Sequence, residues 1–160
     1  QLVAAMNPCP CGYLGDRSER CRCTPDQVAR YRNRLSGPLL DRIDLHLHVA
    51  REATALHANP DSGTSSAQAA ATVAAARQRQ EQRQGGANAF LDLQQLRQHC
   101  GLSDDDQHWL ESACERLGLS LRAAHRVLKV ARTLADLEQA ERISRQHLAE
   151  ALQYRPGSQG

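Results

Sequence analysis

Leu119-Ser120-Leu121-Arg122-Ala123-Ala124-His125-Arg126-Val127-Leu128-Lys129-Val130-Ala131-Arg132-Thr133-Leu134-Ala135-Asp136-Leu137 is the stretch that sets the fold class. Ser120 supplies a hydroxyl N-cap, whose oxygen accepts from a free backbone N–H of the first turn. Ala124, Val127, Leu128, Ala131 and Leu134 then recur at three- and four-residue spacing. On a helix of 3.6 residues per turn they form one apolar stripe, while Arg122, Arg126 and Lys129 fall within about 60° of one another elsewhere. The pattern predicts an amphipathic helix to about Leu137, with a face that has to be buried against other helices.

Its neighbours carry the same signals. Ser103 precedes Asp104-Asp105-Asp106, whose carboxylates suit a helix N-terminus. That helix places Trp109, Leu110, Ala113, Cys114 and Leu117 on one stripe and ends at Gly118. Upstream, an Ala-rich helix is predicted over 66–84, stopped by Gly85-Gly86, and a short one over 92–99. Downstream, Ser144 caps a last helix through about Tyr154, and Pro156-Gly157 begins a tail. Cys100 and Cys114 stand alone on helical faces and read as small core residues.

The pattern changes towards the N-terminus. Residues 2–6 form a short apolar run consistent with a buried strand, and a cysteine-rich loop follows from Pro8 to Cys23. Thr24-Pro25-Asp26-Gln27 combines an N-cap, a proline in the first turn and a capping box, so a helix runs from there to about Leu35, stopped by Ser36-Gly37-Pro38. Ile43, Leu45, Leu47 and Val49 alternate with Asp44, His46 and His48, the period-two pattern of a strand with one buried face. The expected fold class is mainly α: a C-terminal bundle of about five helices over 66–155, preceded by an incomplete α/β remnant over 1–50 that holds the Cys-rich loop. Residues 51–65 read as a linker, with the turn cluster Asn59-Pro60-Asp61-Ser62-Gly63, and 156–160 as a tail. A lone strand cannot bury its faces, so residues 1–50 are expected to be only partly ordered.

Composition agrees. The 160 residues hold 3 % aromatics, so the core must come from Ala, Leu and Val, which favours packed helices over a β-sandwich. The net charge of +2 is too small to argue for nucleic acid by itself. Any basic footprint is local: residues 1–50 carry seven Arg against five acids, and the remainder is balanced. There is neither an apolar run of bilayer length nor a signal peptide, which predicts a soluble, cytoplasmic protein with no membrane partner. The strand-like opening without an initiator Met reads as a piece of a longer chain.

Cys9-Pro10-Cys11-Gly12 and Cys21-Arg22-Cys23 form two Cys-x-Cys pairs. A hairpin that joined them would offer four thiolates, the commonest donor set of structural zinc, with no open position for catalysis. The alternative is four reduced, partly buried thiols.

Four segments, in this order, carry a family resemblance. Leu2-Val3-Ala4-Ala5-Met6-Asn7-Pro8 resembles the sensor-1 strand of AAA+ ATPases. Leu35-Ser36-Gly37-Pro38-Leu39-Leu40-Asp41-Arg42-Ile43-Asp44 resembles the arginine-finger segment of the magnesium-chelatase and related helicase clade. The opening stretch, 119–137, resembles the sensor-2 helix of the same proteins, and Ile143–Arg155 their final lid helix. The chain is thus similar to the magnesium-chelatase-like (ComM/YifB) family of AAA+ ATPases, whose Asn-Pro-Cys-Pro-Cys-Gly segment it shares. The resemblance implies that Asn7 orients the attacking water, that Arg42 reaches ATP held by the neighbouring subunit, and that Arg122 contacts the γ-phosphate with Arg126 beside it. It further implies ATP and Mg2+ as cofactors of the parent protein, assembly into a ring, a hexamer by analogy, and DNA as partner, as in branch migration during natural transformation. Residues 66–155 would then be the helical lid.

The family's phosphate-binding loop, Gly-x4-Gly-Lys-Ser/Thr, and its acidic Walker B strand are not in these 160 residues, so this segment alone is expected to be inactive. Two other readings stay open: an ATPase subunit that drives magnesium insertion into a tetrapyrrole, and a zinc-stabilised DNA-binding module without a nucleotide role. In the latter Arg17, Arg20, Arg22, Arg30, Arg32 and Arg34 would meet phosphates.

Overall fold

Side-chain caps set the helix boundaries. In the computed structural model, which describes residues 2–16, 19–49 and 63–155, Thr24 opens α1 (Pro25–Arg32) through a reciprocal capping box with Gln27. Ser36 opens α2 (Gly37–Leu40), Ser65 opens α3 (Ser66–Gln84), and Asp92 opens α4 (Leu93–His99). Ser103, Ser120 and Ser144 open α5 (Asp104–Arg116), α6 (Leu121–Leu137) and α7 (Arg145–Gln153). At every one of these starts a side-chain oxygen accepts from a backbone N–H three residues on, so one otherwise unsatisfied donor is matched. A 3-10 turn, Asn88–Phe90, lies between α3 and α4. Gly85 ends α3 in the left-handed conformation, with φ of 73°, which a residue bearing a Cβ adopts only under strain.

The described residues fall in two units, one holding α1 and α2 and one holding α3 to α7 together with Asp44–His46. The second is the predicted bundle. α6 is its central rod: α3, the 3-10 turn, α4 and α7 all pack on it. Val127, Ala131 and Ala135 of α6 and Leu148 of α7 are completely buried, with Leu96, Cys100, Leu110, Ala113 and Cys114 closing the core from α4 and α5. The apolar stripe read from the sequence is therefore the packing face, centred on Val127 and Ala131. Alanines along it let the helices approach closely, and each large side chain buried there stabilises the bundle by about 1.5–3 kcal/mol.

A polar layer crosses this core. Asp136, 1 % exposed, accepts from Arg83 of α3 at 2.6 and 3.0 Å and from Asn88 at 2.9 Å, and pairs with Arg132 at 3.1 Å. Arg132, 2 % exposed, also donates to the carbonyls of Ala140 and Glu141. Burial alone would raise the Asp136 carboxyl, but the Arg83 and Asn88 hydrogen bonds and the Arg132 charge hold it below its usual value. Arg132 is shifted down, by burial first, against the pull of Asp136. The layer joins α3 to α6 in one register.

Two expectations are corrected. Residues 2–6 and 43–49, read as strands, form no strand, and no strand occurs among the described residues. A strand exists through its ladder, and neither segment forms one among the described residues: in 43–49 the Ile43 N–H bonds the Leu40 carbonyl and the His46 N–H bonds the Tyr154 carbonyl at the end of a helix. Leu2, Val3, Leu47 and Val49 consequently stand exposed. The α/β remnant thus shows no sheet. The first helix also stops at Arg32, with Asn33 as its C-cap, and Ser36-Gly37-Pro38, read as a stop, serves as the start of α2. Most of the expected linker, the tail and Arg17 lie outside the described residues. Among the described residues no helix is long and apolar enough to cross a membrane.

Candidate functional site

In the first unit the loop before α1 folds back on itself. Gly12 donates its N–H to the Cys9 carbonyl at 3.0 Å and takes a φ of 80°, closing a turn between the first two cysteines. Cys9 and Cys11 have their sulfurs 3.3 Å apart, and Cys21 lies 3.8 Å from Cys9 and 3.6 Å from Cys11. With Cys23, all four Sγ atoms fall within 4.8 Å of one another. A tetrahedral ion with Zn–S bonds near 2.3 Å holds its sulfurs about 3.8 Å apart, so the observed separations bracket those of a four-thiolate zinc centre, with shifts of some tenths of an ångström needed to close it.

The electrostatics of the cluster point the same way. Cys11 is drawn down to about 6, by the Tyr13 backbone first and then by the Cys9 thiol. Cys23 is pushed up to about 12: the Cys11 backbone draws it down, but the hydrogen bond with Cys11, burial and the Cys11 charge outweigh that. Thiols this close do not all ionise together unless a cation neutralises them. Cys9 is also the only buried side chain among the described residues of its unit. Zinc would thus supply the centre that apolar side chains do not. Elemental analysis of the protein purified under reducing conditions should give about one zinc per chain, and Cys9→Ser should lose most of it; a metal-free wild type would remove the centre.

Asn7 precedes this loop with its side chain exposed, and its Cγ sits 3.7 Å from where a Cβ on Gly12 would lie. Around the cluster, Arg20 stacks over the Tyr13 ring at 4.4 Å and lies 3.8 Å from Asp16, and Arg32 donates to the Pro8 carbonyl at 3.4 Å. Arg42 follows α2 directly. Its Nη1 donates to the Pro38 carbonyl at 2.9 Å, which props the exposed side chain against its own turn.

In the second unit Arg122 occupies the first turn of α6, exposed and without a hydrogen-bond or ion-pair partner among the described residues. The other two cations of its stripe are engaged. Lys129 donates to the Ala89 carbonyl at 3.0 Å, and Arg126 pairs with Asp44 at 3.3 Å. Of the predicted residues, the four cysteines are brought together. Asn7 and Arg42 belong to the first unit, and Arg122 and Arg126 to the second. The buried Arg83–Asp136–Arg132 layer was missed. Only part of its signal is local: Arg132 and Asp136, four residues apart, lie beside Ala131 and Ala135 on the packing face of α6, whereas Arg83 comes from α3.

Comparison with known proteins agrees with this order of segments. Residues 1–56 match the family described as magnesium chelatase, subunit ChlI, and residues 63–155 match its C-terminal region. The chain is 52 % identical over 157 residues to the protein YifB of Escherichia coli K12 and 50 % identical to YifB of Salmonella typhimurium. It is 48 % identical over 157 residues to the competence protein ComM of Haemophilus influenzae. Each match covers 97 % of this chain and 30 % of the relative, so the chain spans about a third of the length of these proteins. It belongs to the magnesium-chelatase-like AAA+ family, on the branch that includes YifB and ComM.

Proposed function

We propose that this chain is the responding part of an ATPase site in a cytoplasmic, ring-forming AAA+ protein that uses ATP hydrolysis to remodel DNA. Asn7 orients the attacking water, Arg122 contacts the γ-phosphate of its own subunit's ATP, and Arg42 reaches across to the ATP of its neighbour in a hexamer. ATP and Mg2+ would be held by residues outside this segment. Phosphoryl transfer depends on positioning and on neutralising charge as it develops, and three properly placed polar groups are suited to that task.

The observation that carries the reading is the contrast on α6: Lys129 and Arg126 are both engaged, whereas Arg122 alone stands in the first turn with no partner among the described residues. An unpaired cation beside the positive end of a helix dipole is placed for an anion. The test is Arg122→Ala in the full-length protein. Loss of a charged hydrogen bond should raise the KM for ATP about tenfold or more; an unchanged KM and kcat would remove Arg122 from the site.

The Cys centre is proposed to hold structural zinc. DNA contact is supported by the exposed Arg20, Arg22, Arg30 and Arg34 of the same unit. The same feature favours a second reading, a zinc-stabilised DNA-binding module without a nucleotide role, which predicts salt-sensitive DNA binding that Arg122→Ala leaves intact. Activity in magnesium insertion into a tetrapyrrole would place the protein with the chelatase subunits from which the family takes its description.

A further inference from the structure

Two polar contacts fasten the chain just beyond Arg42 to the helical unit. Asp44 Oδ1 lies 3.3 Å from Arg126 Nη1, and His46 donates its backbone N–H to the Tyr154 carbonyl, at the C-terminal end of α7, at 2.8 Å. Asp44–His46 accordingly pack as part of that unit. Apolar burial does not hold them there, since Leu45 between the two contacts is 49 % exposed and Leu47 is 70 % exposed. The alternation that reads as a strand is unused, and its polar members make the attachment.

Resting on the ATPase reading above, we propose that Arg126 is a positioning residue that couples α6 to the arginine finger. Arg122 and Arg126 stand one turn apart on the same side of a rigid helix. Asp44 is two residues beyond Arg42, and two residues span at most about 7 Å. A shift of α6 driven by phosphate contact at Arg122 therefore reaches Asp44 through the ion pair. It reaches His46 through α7, which packs on α6. Only Ile43 separates Asp44 from Arg42, so the tether bears directly on the backbone that follows the finger. Each subunit would in this way adjust the finger it offers its neighbour according to the nucleotide it holds itself. This role differs from that of a second phosphate ligand, because Arg126 acts through Asp44 and not on the nucleotide.

Asp44→Asn, Arg126→Gln and the exchanged pair Asp44→Arg/Arg126→Asp in the full-length protein test the proposal. Both side chains are partly exposed, 58 % and 30 %, so neither substitution removes core packing. Two quantities are measured: hydrogen exchange at the His46 amide without nucleotide, and kcat with KM for ATP. Each single variant is expected to speed His46 exchange about two- to fivefold and to lower kcat to a similar extent, with KM within twofold of wild type. The exchanged pair should recover both. The proposal is overturned if His46 exchange is unchanged in the single variants. It is equally overturned if Arg126→Gln raises KM while Asp44→Asn is silent, the signature of a direct phosphate ligand. Failure of the ATPase reading shows separately, as normal turnover when Arg42 is replaced, while the exchange measurement still decides whether the tether exists.

Discussion

Arg42→Ala in the full-length protein is expected to lower ATP turnover about a thousandfold or more while ATP affinity stays within a few fold. The expectation rests on where charge develops. As the γ-phosphoryl group transfers, negative charge spreads over oxygens that a donor from the adjacent subunit can reach, and a guanidinium supplied in this way accelerates the step by about 10³–10⁵. The local geometry of Arg42 is compatible with the proposed role. The short helix α2 is pinned by Ser36, and Nη1 is held on the Pro38 carbonyl, so the side chain is partly ordered before it meets a ligand. Less conformational freedom is then lost when the finger engages. Arg42→Lys is expected to recover only a small part of the loss, since an ammonium cannot reproduce the planar fork of donors. Steady-state kinetics with a separate nucleotide-binding measurement distinguish the outcomes: a loss confined to affinity would place Arg42 at the nucleotide but not in the transfer step.

The second large effect is on stability. Asp136→Ala is expected to destabilise the helical unit by about 3–5 kcal/mol, because it strands the buried Arg132 and half-buried Arg83 without a counter-charge. That is a large fraction of the 5–15 kcal/mol typical of a domain, and the midpoint of thermal unfolding should fall by at least about 12 °C. Asp136→Asn keeps the shape and loses the charge, and should fall between the two. The sign of the pH dependence follows from the depressed carboxyl. The unfolded chain takes up a proton near the ordinary value of 3.8 before the folded one does. Stability from this group is therefore fully present above that value and is lost as pH falls through the lower, folded one. Urea unfolding of wild type and Asp136→Ala across that acid range should converge as the pH drops. Parallel curves would show that the carboxylate charge is not what holds the layer.

The helical unit was almost fully legible because its signals are local. Ser103, Ser120 and Ser144 act on backbone groups three residues away, Gly85 and Gly118 adopt the positive φ that their positions required, and the α6 stripe has one period and one face. The cysteine pairs were legible for a similar reason: two Cys-x-Cys motifs on one loop need only a turn to converge. The strands were misread because alternation states which side chains could share a face, not whether a neighbouring strand is present to accept the backbone. The α6 polar layer was missed because Arg132 and Asp136 were read by residue type, and charges that satisfy each other count as core only when Arg83, about fifty residues upstream, is placed beside them. The Arg126–Asp44 ion pair is not legible for the same reason, since Asp44 is distant in sequence.

Subunit mixing tests most directly whether this segment carries the responding half of a shared ATPase site. One full-length variant keeps its phosphate-binding loop and carries Arg42→Ala; the other keeps Arg42 and has the loop lysine replaced. Each alone should be close to inactive. Mixed at equal concentration, they form interfaces in which an intact loop faces an intact finger, and turnover should return to a substantial fraction of wild type. Mixtures no more active than the separate variants, in rings shown to contain both, would contradict the assignment of Arg42 to its neighbour's ATP.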